Sequence, residues 1–130
     1  MGLRLALDTN RYTDFARGVP EVVERLETAE EVLVPFAVLG ELRAGFLAGT
    51  RAESNEGVLQ RFLSRPGVAV LYPDQGTTHQ YARLFLQLRR QGTPIPLNDL
   101  WIASLVCQHD LTLYARDSHF DHLPQLARLD

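Results

Sequence analysis

Four short apolar runs, separated by stretches with helical periodicity, constrain the fold of this chain more than any other feature. The runs are residues 3–7, 32–34, 68–71 and 111–114. Runs of this length are typical of buried strands, and strands that alternate with helices are typical of a mainly parallel sheet. In such sheets, ligands gather at the carboxyl ends of the strands, near the point where the strand order reverses. The sequence therefore predicts an α/β fold with its functional site at that edge.

Helical patterns fill the segments between these runs. Pro20 and Pro35 stand where helices begin, because proline suits the first helical turn, and Asn98 is placed as the cap of a later helix. Residues 93–97 are expected to be extended, since proline disfavours helix in the residue before it. Residues 49–57 are expected to form a polar, glycine-containing stretch that leads into the next helix. The predicted helices are 10–17, one starting at residue 20, 36–48, one ending near residue 64, about 77–91, and one following residue 98.

The composition predicts a globular protein of one domain, residues 1–130. The chain has 45% hydrophobic residues and a single cysteine, Cys107, which excludes a disulfide framework or a cysteine-rich zinc site. No apolar run approaches the roughly 20 residues that cross a bilayer, and the first residues lack a signal-peptide pattern. We therefore expect a cytoplasmic protein that makes no contact with a membrane.

The net charge is −3, and lysine is absent, so arginine carries the positive charge. A negative net charge disfavours a nucleic-acid partner, but carboxylates that bind a cation would account for much of it. The absence of lysine, which codon bias explains most simply, excludes phosphate-binding loops and other sites that require one. The sequence does not rank the arginines available for phosphate contacts, which are Arg11, Arg43, Arg89, Arg90 and Arg116.

Four acidic residues, far apart in the sequence, follow predicted strands or lie on inner helix faces: Asp8, Glu41, Asp99 and Asp117. Carboxylates at the edge of an apolar core cost free energy unless they are paired. Two of them at about 4 Å repel by about 4 kcal/mol at an effective dielectric constant of about 20. A divalent cation bound through oxygen would stabilise their convergence, and such a site suits metal-assisted phosphodiester chemistry.

Each acid also has a simpler interpretation. Asp8 and Asp117 stand where an aspartate often caps a helix or a turn, and Glu41 could lie on a solvated helix face. Small and apolar neighbours at helical spacing nevertheless indicate that the face of Glu41 points inward. Asp99 is the strongest candidate, because Asn98 can cap its helix and because an apolar stripe continues its face.

The other chemically active side chains are interpreted as structural. The histidines are expected at the surface or the rim, and the turn that holds His119 and His122 is too short for a convincing metal motif. Trp101 and Tyr114 are expected to pack in or near the core. Cys107 is interpreted as a small buried residue on a helix.

The ordered motifs resemble those of the PIN-domain ribonucleases and, more narrowly, of the VapC toxins of toxin–antitoxin pairs. The resemblance runs from about residue 3 to residue 120 and rests on Leu7-Asp8-Thr9-Asn10, Gly40-Glu41-Leu42 with Gly45, Asn98-Asp99 with Ile102-Ala103, and Arg116-Asp117-Ser118-His119-Phe120. It implies a PIN-like three-layer fold, with a five-stranded, mainly parallel sheet between helices and a last strand at 127–129.

The resemblance also implies the composition of the site. Asp8, Glu41, Asp99 and Asp117 would bind Mg²⁺ or Mn²⁺, and Asn10 would support them. The family often has a threonine or serine where this chain has Ala115, so a hydroxyl that would tighten the Asp117 side of the site is missing.

The activity that the resemblance implies is that of a metal-dependent endoribonuclease, the toxin of a type II toxin–antitoxin system. The alternative is a catalytically weak PIN-fold module that binds RNA or protein, against which the four intact acids count. A DNA-directed flap-type nuclease has a related fold but needs a larger chain.

The implied partners are an RNA substrate, a cognate VapB-like antitoxin and a second copy of the chain. The antitoxin would lay an amphipathic segment in an apolar groove near the site, for which the candidate residues are Leu39, Leu42 and Phe46. The expectation of a homodimer rests on surplus apolar side chains on two helices, namely Phe46, Leu47, Leu86 and Leu88.

Overall fold

The computed structural model describes residues 2–130 and contains a five-stranded parallel sheet with the strand order β3-β2-β1-β4-β5. The strands are β1 Arg4–Leu7, β2 Glu31–Pro35, β3 Val68–Leu71, β4 Thr112–Tyr114 and β5 Ala127–Leu129. The four runs seen in the sequence are confirmed as strands. The fifth, which the family resemblance implied, is confirmed as well.

Helices precede or follow each strand and cover the sheet. They are α1 Thr9–Ala16, α2 Pro20–Thr28, α3 Phe36–Ala48, α4 Ala52–Leu63, α5 Gln75–Gln91 and α6 Leu97–His109, and a short 3₁₀ helix spans Ser118–His122. Among residues 2–130, no helix is both long enough and apolar enough to cross a membrane.

Two predicted helix starts are wrong. Helix α4 begins at Ala52, inside the stretch interpreted as a polar connection. Helix α6 begins at Leu97, and the Pro96 carbonyl already accepts the Leu100 N–H at 3.0 Å. The first turn of α6 therefore closes before Asn98, which lies exposed inside that turn and does not cap the helix.

The core is built around β1, the central strand. Leu5, Ala6 and Leu7 are fully buried, because the strand is paired on both sides and covered on both faces. Fully buried strands of parallel sheets are continuous apolar runs for this reason. The stripe on α6 that follows Asp99 is buried too, which confirms its inward face; it consists of Ile102, Ala103 and Val106.

The strand order reverses at β1, and this reversal places the site. The chain runs from β1 to β2 and β3 on one side, and then returns to place β4 and β5 on the other. The Asp8 N–H donates to the Tyr114 carbonyl at 3.2 Å, so the carboxyl ends of β1 and β4 lie side by side. The crevice beyond such neighbouring ends is where open α/β sheets bind ligands.

Candidate metal centre

Asp8 is the most deeply buried of the four predicted acids. It directly follows β1 and occupies the cap position of α1, yet its side chain makes no capping hydrogen bond and is only 4% exposed. Burial, with smaller contributions from the charges of Asp99, Glu41 and Asp117, raises the pKa of Asp8 to about 6, although a hydrogen bond from the Thr9 backbone N–H opposes the shift. The capping interpretation is therefore wrong for Asp8, whose carboxyl group lies close enough to the other acids for their charges to act on it.

Glu41 approaches the same place from α3. Its Oε1 atom is buried and has no hydrogen-bond partner among residues 2–130. Burial raises the pKa of Glu41, followed by the charge of Asp99; the nearby Thr9 side chain lowers it, and the charge of Asp117 adds to the rise. The predicted inward face is only half correct, because Ala37 and Val38 are buried whereas the neighbours one turn later, Ala44 and Gly45, are exposed. Glu41 thus lies where the core meets solvent.

Asp99 and Asp117 meet at the side chain of His119. His119 Nδ1 is 2.8 Å from Asp99 Oδ2 and 3.1 Å from Asp117 Oδ1. Asp117 also accepts the His119 backbone N–H at 2.9 Å, so its capping role is confirmed and coexists with its place in the cluster. Within residues 2–130, these three side chains offer ligand atoms that lie within 4.8 Å of one another.

His119 is the site residue that sequence reasoning missed. Its side chain is half-exposed, as expected for the rim, but it contacts two of the four acids. The hydrogen bond to Asp99 raises the pKa of His119, with the charges of Asp117 and Asp99 acting in the same direction. Burial raises the pKa of Asp99, and the bond from His119 opposes that effect. When it is protonated, the imidazole places positive charge between the two carboxylates.

The residues present fit a divalent cation. Four carboxylates offer the oxygen ligands that hard divalent ions prefer, and carboxylate oxygens also suit manganese. Two buried oxygens at the site, Thr9 Oγ1 and Glu41 Oε1, are close enough for the Thr9 side chain to lower the pKa of Glu41, but neither completes a hydrogen bond among residues 2–130. Because unpaired buried polar atoms cost free energy, an acidic cluster with such atoms is suited to hold a metal ion.

The segment from Ala115 to Asp117 is held by hydrogen bonds from the last strand. Ala115 is fully buried, and the guanidinium of Arg128 on β5 donates to the backbone carbonyls of Ala115 and Asp117 at 3.1 and 3.3 Å. Arg128 therefore fixes the backbone that carries Asp117. Asn10 is exposed at the start of α1, and its supporting role stays a prediction.

A parallel sheet of this order, with carboxylates gathered where β1 and β4 end, is the arrangement of a metal-binding nuclease domain. The sequence matches the PIN domain family over residues 5–126. It is 30% identical over 113 residues to ribonuclease VapC1 of Haemophilus influenzae strain R2866, covering 84% of this chain and 80% of that protein. The chain belongs to the PIN-domain family and, within it, to the VapC ribonucleases.

Further relatives agree in sequence and in structure. Ribonuclease VapC5 of Mycobacterium tuberculosis is 29% identical over 107 residues, with 78% of this chain and 79% of that protein covered. The crystal structure of VapBC2 from Rickettsia felis, bound to a DNA fragment from its promoter, contains a chain that superposes with a TM-score of 0.87. That chain is 26% identical, and the match covers 98% of both chains.

The raised pKa of Asp8 predicts how stability depends on pH without metal. Because its pKa is about 6 in the folded protein, against an ordinary value of 3.8, the folded state binds more protons between these values, and the free energy of unfolding falls as pH rises. Above pH about 6 the full cost of the ionised group, up to about 3 kcal/mol, is present. We expect Asp8→Asn to stabilise the protein in EDTA at pH 8, with a gain that shrinks toward pH 4.

Urea denaturation across this pH range measures the effect. Glu24→Gln on the exposed face of α2 is the control and should leave the pH profile of the parent unchanged. An Asp8→Asn protein that is no more stable than the parent at pH 8 would show that Asp8 is not an uncompensated buried charge.

Proposed function

We propose that this chain is a metal-dependent endoribonuclease and the toxin of a type II toxin–antitoxin system. The observation that carries the proposal is the cluster of Asp99, Asp117 and His119 near the switch point of the sheet, with Asp8 and Glu41 close enough for the acids to raise their pKa values. The similarity of the chain to proteins named ribonuclease VapC supports RNA cleavage as the reaction at this site.

In this proposal, Asp8, Glu41, Asp99 and Asp117 hold Mg²⁺ or Mn²⁺. Such an ion, when bound, acidifies a water molecule and neutralises charge that develops on a phosphodiester. The carboxylates bind and orient the ion. His119 Nδ1 lies between Asp99 and Asp117. When a cation binds there, the imidazole ring must either move away or become a ligand of the ion.

Water is the nucleophile in this proposal, because the chain offers no suitable side chain. Cys107 lies on α6, and burial raises the pKa of its thiol, which lowers the thiolate population and with it the reactivity. His119 is engaged by Asp99 and Asp117 and orients no serine or cysteine. Hydrolysis by an activated water needs neither group.

Asp99→Asn tests the charge of the site without changing its shape. The substitution keeps the size of the side chain but removes an anionic ligand, so we expect Mn²⁺-dependent cleavage of total RNA to fall by at least about a hundredfold, as for loss of a principal electrostatic contribution. Asp110→Asn, at the exposed C-terminal end of the same helix, is the matched control, because asparagine tolerates its left-handed backbone.

Circular dichroism should show that both variants of α6 are folded. Cleavage by Asp99→Asn at the parental rate in saturating Mg²⁺ would remove Asp99 from the site. A parent that binds RNA but does not cut it with any divalent metal would favour the alternative of a non-catalytic module.

The proposed partner is a cognate VapB-like antitoxin, which the VapBC complexes among the structural relatives support. Of the candidate groove residues, Leu39 and Leu42 are core residues. Phe46 is partly buried against the core and keeps part of its side chain accessible for such a contact. An arginine from the antitoxin that reached the carboxylates would compete with the cation for the same oxygens.

Expression of this chain alone should arrest growth of the host, and co-expression with its genomic neighbour should restore it. In the purified complex, inhibition of RNA cleavage should weaken as Mn²⁺ is raised, because metal and antitoxin compete. Equal growth with and without the neighbour, while nuclease activity is demonstrated in the same cells, would leave a cytoplasmic ribonuclease that is not a toxin.

We also propose a homodimer. Leu47 is 80% exposed, and Phe85 and Leu86 are nearly half-exposed, so α3 and α5 present apolar side chains to solvent. Exposed apolar patches often mark partner surfaces. Leu88, which was predicted to belong to this surface, is instead a core residue, because it lies on the face of α5 that packs inward.

Light scattering at tens of micromolar protein should give twice the chain mass of 14.7 kDa. Leu47→Arg or Leu86→Arg should shift the mass toward that of one chain, because a charge would be buried in the interface. A parental mass of one chain across this concentration range would exclude the dimer.

A further inference from the structure

A second charged cluster is built on Asp14 and shares its chain segments with two of the metal-site acids, Asp8 and Asp117. Asp14 is buried on α1. Its Oδ1 accepts from Arg116 Nη2 at 3.1 Å, and its Oδ2 accepts from Arg116 Nε and Arg11 Nη1, both at 3.2 Å. One carboxylate therefore holds two guanidinium groups, one of them by a fork of two bonds.

Arg11 and Arg116 reach this cluster from the two elements that also carry metal-site acids. Arg11 lies three residues after Asp8, which is one helical turn, and Arg116 directly precedes Asp117. The guanidinium of Arg11 lies over the ring of Tyr114, 4.9 Å from its centroid. We call Arg11, Asp14 and Arg116 the arginine pair site.

The arginine pair site retains positive charge and unused donors. Two guanidinium groups and one carboxylate leave a charge of +1. Arg116 uses Nε and Nη2 for Asp14, which leaves Nη1 free among the contacts of residues 2–130, and its side chain is 49% exposed. Arginine forks of this kind match the oxygens of a phosphate.

The other candidate arginines are placed differently. The guanidinium of Arg43 donates two hydrogen bonds to the Glu56 carboxylate, at 3.0 and 2.9 Å, and these bonds neutralise its charge. Arg89 and Arg90 are exposed near the end of α5. Of the five candidate arginines, all within residues 2–130, Arg116 alone combines an exposed side chain, a fixed orientation and a direct sequence neighbour among the site acids. A chain of net charge −3 needs local positive charge to receive a polyanion.

We infer that the arginine pair site binds a phosphodiester group of single-stranded RNA next to the metal centre, with Arg116 as the contact and Asp14 as the residue that positions it. The inference rests on the proposed function, since an RNA must enter this crevice to be cut. In this inference Asp14 differs from the metal-site acids, because it orients two arginine side chains of the protein and does not bind a metal ion.

Binding of a fluorescein-labelled, mixed-sequence single-stranded RNA tests the inference by fluorescence anisotropy. Measurements in EDTA prevent cleavage and remove any contact through a metal. We expect Arg116→Gln to weaken binding about tenfold, the loss of one charge-assisted contact. The slope of log affinity against log salt should fall by about 0.7, as for one phosphate of a single strand.

Arg4→Gln is the matched control. Arg4 is also a half-exposed arginine paired with a carboxylate, at 3.4 Å from Glu31, but it lies at the opposite end of β1. Its substitution should change neither the affinity nor the salt slope appreciably. Arg116→Lys, which keeps the charge but not the fork, should retain the slope and lose part of the affinity, and it replaces Arg116→Gln if that variant does not fold.

Asp14→Asn separates positioning from net charge by the sign of its effect. Removal of a negative charge near an RNA site should tighten binding if charge alone matters. If Asp14 positions Arg116, Asp14→Asn should weaken binding, and the double variant with Arg116→Gln should be no weaker than Arg116→Gln alone. Tighter binding by Asp14→Asn would overturn the positioning role.

The outcomes distinguish this inference from the proposed function. Unchanged RNA binding by Arg116→Gln, or no salt-dependent binding by the parent, overturns the inference even if the parent cleaves RNA with Mn²⁺. An Arg116→Gln variant that no longer binds the protein from the neighbouring gene but still binds RNA like the parent would also overturn the inference. The arginine pair site would then bind a protein and not RNA. If the parent binds RNA through Arg116 but cleaves none, the result supports the arginine pair site and contradicts the proposed nuclease activity. Mn²⁺ affinity should be the same in Arg116→Gln and the parent.

Discussion

The parallel pairing of β1 with β4 is the interaction on which the rest of the site depends. Leu7 is in register with Tyr114, and the Asp8 N–H extends the ladder to the Tyr114 carbonyl. Because the strands are parallel, their carboxyl ends lie at one edge, and the side chains that follow them meet there. Asp8 and Arg11 come from one strand end, and Arg116 and Asp117 come from the other.

This geometry concentrates like charge where the core offers little solvation. Burial is the first cause of the raised pKa of Asp8, Glu41 and Asp99, and neighbouring carboxylates add to each. The fold opposes that repulsion with nearby hydrogen-bonding groups of its own. His119 lies between Asp99 and Asp117, and Arg128 fixes the backbone beneath Asp117. A site of this kind is less stable empty than filled, which is the expected condition of a metal centre whose ligands are pre-arranged.

The features that could be predicted from sequence were those encoded in local patterns. The first four strands are apolar runs, and Asp8 and Asp117 follow strands whose direction was predictable. Strand β5 carried no such signal, because its Ala127-Arg128-Leu129 segment is only partly buried and is defined by backbone pairing with β4. The start of α6 was misplaced because a Pro96 carbonyl, and not the Asn98 side chain, closes the first turn.

The contacts that sequence reasoning missed join residues that the fold brings together. Asp14 and Arg116 are 102 positions apart, and no periodicity links an acid inside α1 to an arginine after β4. The contact of His119 with Asp117 was easier to predict from the sequence. An aspartate that accepts the backbone N–H of a histidine two residues later also brings the imidazole ring close to its carboxylate. The spacing Asp117-Ser118-His119 was the available signal.

Thermal unfolding of the parent protein against rising Mn²⁺ tests the central claim most directly, because it needs neither a substrate nor a partner. If the four carboxylates converge on a cation site, the melting temperature should rise with the logarithm of metal concentration, with a stabilisation of about 2.7 kcal/mol at a hundredfold excess over the dissociation constant. Glu41→Gln should reduce that dependence. A melting temperature that does not change up to millimolar Mn²⁺, or that responds equally in Glu41→Gln, would contradict the account.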